Sequence, residues 1–170
     1  MDHLDLVLAQ WARERPDLDT GPMGLIGRVL RLSRHLMREM EATLASHGLN
    51  FASFDVLATL RRAGPPFALS PNDLLGTMMI TSGTMTHRVD QLEKAGHVRR
   101  KPNPEDGRSV LITLTPAGRA LVDRVLGAHV ATQARLVAGL GPAERAALGP
   151  LLSAWLAALE PPPEALSQSA

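Results

Sequence analysis

The sequence predicts a mostly α-helical fold that carries a small β-hairpin wing. Three observations predict it. Long stretches at both ends repeat apolar residues at helical spacing, and two short helix signatures follow one another within residues 70–96. After Gly96 the period drops to two across a basic hairpin with Asn103-Pro104-Glu105-Asp106-Gly107-Arg108 at its tip. Two short helices and then a basic hairpin is the order a winged helix-turn-helix needs to grip DNA.

The elements follow in order. Residues 4–13 put Leu4, Val7, Leu8 and Trp11 on one face of an amphipathic arm. Gly21-Pro22 opens a long helix in which Leu25, Ile26, Val29, Leu32, Leu36, Met40 and Leu44 repeat, and His47-Gly48 ends it. Phe51–Arg62 follows as a second helix, broken by Gly64-Pro65-Pro66. Ser70-Pro71-Asn72-Asp73 offers a serine N-cap, a proline at the first helical position and an acid three residues after the cap, so a short helix begins there. Residues 81–96 form the next helix, with hydroxyls at its start and glycine at its end. Met85, Val89 and Leu92 make its buried stripe. On a wheel of about 100° per residue, Gly83, Thr84, His87, Gln91 and Lys94 lie opposite, on the face that enters a major groove. Arg88 falls about 60° from Met85, at the border of the two faces.

His97-Val98-Arg99-Arg100-Lys101 reads as a basic strand and residues 110–115 as a half-buried one. Asp106-Gly107 suits the turn, and Arg108 beside it is placed to reach a phosphate or a minor groove. Thr115-Pro116 starts a third long helix that runs to Gly139. Pro142 starts the last, which carries Leu148, Leu151, Leu152, Trp155, Leu156 and Leu159, with Gly149-Pro150 expected to interrupt or kink it.

A chain of 170 residues with 45% hydrophobic content suits one domain over 1–160 and a disordered tail over 161–170. Within it we expect an added helix over 3–14, a DNA-binding lobe over 51–115, and dimerisation helices over 22–46 and 116–160. The apolar surface at both ends exceeds what one small winged helix covers, so a homodimer is expected. Its two recognition helices would face successive major grooves about 34 Å apart on a pseudo-palindromic operator. The absence of cysteine excludes disulfides and thiolate chemistry. No apolar run is long enough to span a bilayer and the start has no basic signal region, so the expected location is cytoplasmic. The six histidines show no metal-ligand spacing, and no phosphate loop, nucleophile elbow or paired-carboxylate motif appears. Neither a cofactor nor catalysis is therefore expected. The net charge of only +1 does not by itself point to nucleic acid, but the basic residues concentrate between Arg88 and Arg108. The candidate DNA contacts are Ser70, Thr81, Ser82, Thr84, Thr86, His87, Arg88, Lys101 and Arg108.

Three motifs support a family resemblance: Leu92-Glu93-Lys94-Ala95-Gly96, the hairpin tip starting at Asn103, and Leu114-Thr115-Pro116-Ala117-Gly118. Through them the segment resembles the MarR family of bacterial winged-helix transcriptional regulators, whose wing motif starts Asp-Pro where this chain has Asn103-Pro104. The N-terminal segment with Trp11, followed by Pro22-Met23-Gly24-Leu25-Ile26-Gly27-Arg28, resembles the urate-responsive PecS and HucR branch. That resemblance implies a repressor, dimeric through its terminal helices, that a small aromatic anion releases from DNA. It also implies a ligand site at the positions of Trp11, Asp55, Arg88 and Arg100, with Arg99 as the alternative to the last. The chemistry is compatible: a planar guanidinium suits a flat heterocyclic anion, and an indole stacks on such a ring. The residues leave other readings open. Arg88 as a phosphate contact, Asp55 as a solvated residue and Trp11 as packing are three. Two more concern the whole chain: a winged-helix interaction or dimerisation module without ligand response, and a truncated enzyme-associated winged helix.

Overall fold

The computed structural model describes residues 1–78, 85–104, 106–107 and 109–160. Its elements are α1 (His3–Glu14), α2 (Gly21–Ala45), α3 (Phe51–Arg62), β1 (Ala68–Leu69), α4 (Pro71–Thr77), α5 (Met85–Lys94), β2 (Val98–Pro102), β3 (Val110–Leu114), α6 (Pro116–Leu136) and α7 (Pro142–Leu159). The chain divides into two compact units, one from Met1 to Thr132 and one from Gln133 onward. The expected tail over 161–170 lies outside the described residues.

The first unit is a winged helix. Its three-stranded antiparallel sheet has the order β1-β3-β2, with Ala68 opposite Thr113 and Val98 opposite Leu114. The hairpin was legible in the sequence, but β1 was not, because two residues cannot display an alternating pattern. The core gathers Leu44 from the end of α2, Leu57 and Leu60 from α3, Leu74 from α4, Val89 from α5, Val98 from β2, and Val122 and Val125 from α6, each fully or almost fully buried. Fully burying one such side chain contributes about 1.5–3 kcal/mol.

Caps set the boundaries. The Asn50 carboxamide oxygen accepts the Ser53 amide at 2.8 Å, and Ser70 Oγ accepts the Asp73 amide at 3.1 Å. Helix α5 ends where Gly96 takes a φ of 76°: its amide donates to the Glu93 carbonyl and that of His97 to the Leu92 carbonyl, a paired closure that a left-handed residue permits. The next junction is tight. Thr115 Oγ1 donates to the Gly96 carbonyl at 2.7 Å and accepts the Gly118 amide at 3.0 Å, and a Cβ on Gly118 would stand 1.9 Å from the His97 carbonyl oxygen. Only glycine allows α6 to start this close to the end of α5.

Helix α1 packs on α2. Leu8 and Leu4 fit into notches at Gly24 and Gly27, where an added Cβ would lie 2.8 and 2.7 Å from their methyl groups. Arg28 links the helices electrostatically, through Nε to Asp2 at 2.8 Å and Nη2 to Asp5 at 2.6 Å. In the second unit α7 runs through Pro150 as one helix, so Gly149-Pro150 does not interrupt it. Both α2 and α7 present large apolar side chains to solvent: Leu25, Leu30 and Leu32 on the first, Leu151, Leu156 and Leu159 on the second. No described helix is long and apolar enough to cross a membrane.

Candidate nucleic-acid interface

Helix α5 is built with two faces. Met85, Val89 and Leu92 are buried on one, while Thr86, His87, Gln91 and Lys94 are exposed. Arg88 is half-buried at the border. Its Nη1 donates to Gln91 Oε1 at 3.4 Å, and its Nε is buried with no hydrogen-bond partner among the described residues. The Ser70 hydroxyl, besides capping α4, donates to Asp73 Oδ2 at 2.6 Å. Thr81, Ser82, Thr84 and Arg108 lie outside the described residues.

The pleat of the wing separates its basic residues. Along β2, Arg99 stands opposite Thr113 and Lys101 opposite Leu111, whereas Arg100 stands opposite the buried Ile112. Arg100 therefore leaves the sheet toward α5. There its Nη2 meets Asp90 Oδ1 at 2.5 Å, its Nη1 donates to Glu93, and its backbone amide donates to Glu93 Oε1 at 2.8 Å. These carboxylates, Asp90 foremost, hold the guanidinium even more firmly protonated than usual. The sequence reading missed both as partners of Arg100. The available signal was two acids three residues apart, one turn before a basic strand. At the wing turn, Asn103 Nδ2 donates to Ser109 Oγ at 3.0 Å and the Asn103 amide to the Ser109 carbonyl at 3.0 Å, so asparagine there keeps the turn closed.

The four residues implied as a ligand site fall into two groups. Asp55 lies on α3, which packs on α5, and Arg100 reaches α5 from β2, so Asp55, Arg88 and Arg100 belong to elements packed around one helix. Asp55 is 3% exposed, which rules out the reading of a solvated residue. One turn on, Thr59 Oγ1 is buried without a hydrogen-bond partner among the described residues. Trp11 lies on α1, whose main packing is against α2, and its side chain is 41% exposed.

Residues 47–109 match the model of the MarR family. The chain is 41% identical over 146 residues to the transcriptional regulator PecS of Dickeya dadantii, covering 86% of this chain and 88% of that protein. The chain belongs to the MarR family. Among solved structures, the Streptomyces coelicolor regulator Sco3205 in complex with DNA is similar with a TM-score of 0.76 at 25% identity, covering 85% of this chain and 91% of that one. Bordetella bronchiseptica BpsR, whose DNA binding is regulated by 6-hydroxynicotinic acid, aligns with a TM-score of 0.68 at 31% identity over 76% of this chain and 91% of its own. This MarR-family chain is thus a transcriptional regulator and not an enzyme.

Proposed function

We propose that the protein is a homodimeric, sequence-specific DNA-binding repressor that a small aromatic anion, urate-like or phenolic, releases from its operator. The observation that carries the DNA reading is the exposed polar face of α5 directly behind its buried stripe, with a basic hairpin alongside. In this reading Thr81, Ser82, Thr84, Thr86 and His87 face base edges, while Ser70, Arg88 and Lys101 meet backbone and Arg108 meets backbone or minor groove. The Streptomyces regulator bound to DNA supports it. A gel-shift titration on the DNA flanking this gene tests it: His87→Ala should cost about 1–3 kcal/mol of discrimination between operator and random DNA, while Lys101→Ala should flatten the salt dependence. Equal affinity for operator and random DNA would overturn it.

Ligand response is supported by the likeness to PecS and to a relative whose DNA binding responds to a heteroaromatic acid. Asp55, Arg88 and Arg100 around α5 would sense the anion, and Trp11 on α1 would stack on it. An effector must favour free protein over the DNA complex, so urate should raise the protein concentration needed for half-shift, and Arg88→Ala should abolish that rise.

A further inference from the structure

A groove of about 650 Å³ runs along the sheet face turned away from α5, within the size range of small-molecule sites. Its apolar lining includes Phe67, Pro102 and Leu111. The charged groups come from two elements, Arg99 and Lys101 from β2 and Arg119 and Asp123 from α6. The single carboxylate among the described lining residues is already engaged: Asp123 Oδ1 accepts from Arg61 Nε at 2.7 Å, and its Oδ2 lies 3.8 Å from Arg119. The guanidiniums of Arg61 and Arg119 also lie 5.2 and 4.7 Å from the centre of the Phe67 ring. Arg99 and Lys101 are exposed and make no ion pair among the described residues. An apolar bed rimmed by cations in excess rewards neither a neutral hydrocarbon nor a fully hydrated ion. It rewards a molecule with both parts.

We infer that this groove binds a small amphipathic anion, such as an aromatic carboxylate, with its ring on Leu111 and Pro102 and its charge at Arg99 and Lys101. Of the residues implied for the effector, Trp11, Asp55, Arg88 and Arg100 do not line the groove, and the pleat sends Arg100 to the opposite face of the sheet; only Arg99, the alternative to Arg100, lies in it. Lys101 is shared with the proposed backbone contacts, so binding is measured without DNA and the two readings fail separately.

Nuclear magnetic resonance titration of the full chain, free of DNA, with 2-naphthoate tests this inference. Saturable shifts are expected at the amides of Ala68, Leu111 and Thr113. The neutral analogue 2-naphthalenemethanol should bind about tenfold more weakly or worse. The double variant Arg99→Glu, Lys101→Glu alters two exposed side chains, leaves the core intact and should weaken naphthoate by about tenfold or more. The milder Arg99→Gln, Lys101→Gln should fall between, and Arg88→Ala should leave the groove shifts unchanged. Shifts confined to the surroundings of Arg88 and Trp11, equal binding of acid and alcohol, indifference to charge reversal, or no saturable shift at millimolar naphthoate would each overturn the inference.

Discussion

Arg100 shows how an exposed cation can be committed before any ligand arrives. Asp90 and Glu93 already hold it, so an anion proposed to bind there competes with two carboxylates and is repelled by them. Neutralising both, as Asp90→Asn with Glu93→Gln, should tighten urate binding by about tenfold, whereas Arg100→Ala should weaken it. Isothermal titration of the free protein reads both changes, and an unchanged affinity in the double variant would remove Arg100 from the site. His129 makes a different residue-level case. It is buried against Phe51 and Phe54, its ring centroid 4.7 Å from that of Phe54, and burial pushes its pKa below the ordinary 6.5. The fold therefore favours neutral imidazole, while the unfolded chain takes up the proton first. Stability should be intact above pH 6.5 and fall progressively as pH drops from there toward the lowered folded value. Urea unfolding at pH 7.5 and 5.5 should reveal the loss, and His129→Phe should reduce it.

At the scale of elements, α1 is held by shape and charge together: two leucines in two glycine notches, and Arg28 between Asp2 and Asp5. Arg28 also lowers the Asp2 pKa, so this attachment is present above the ordinary carboxylate range and is lost as pH falls through the lowered value. Arg28→Glu should release α1 with little change in the main unfolding transition. Hydrogen exchange should then accelerate in residues 3–14 and not in α3 or α5. Most of this layer was legible in the sequence, because amphipathic spacing and caps are local. Phe51–Arg62 was placed to the residue, with Gly64-Pro65-Pro66 as its stop, and the structure adds the Asn50 cap at its start. Long-range consequences were less legible. Strand β1 exists because Ala68 and Leu69 meet Thr113 and Ile112, more than forty residues away. Arg99 and Arg100 could not be told apart until the register of β2 on β3 sent them to opposite faces. The burial of Asp55 was equally hidden, since a carboxylate on a helix is more often solvated.

For the whole molecule, apolar exposure is the dominant fact. On α7, Leu151, Leu156 and Leu159 are 66%, 54% and 71% exposed, and on α2 Leu30 is 65% exposed. Surfaces of this kind are a liability on a lone chain and are explained by the proposed homodimer. Leu156→Glu should shift sedimentation from dimer to monomer or yield insoluble protein, and a wild-type chain that sediments as a soluble monomer at micromolar concentration would contradict the proposal. Within the single chain, the joint at Gly118 is pressed against the His97 carbonyl and held by Thr115. Gly118→Ala should cost about 1–3 kcal/mol, measured by thermal unfolding, because backbone rather than a flexible side chain blocks the new methyl. A joint without slack also bears on the proposed effector response: a displacement of the last turn of α5 would be handed on to the first turn of α6 through Gly118 and Thr115 and not be absorbed between them.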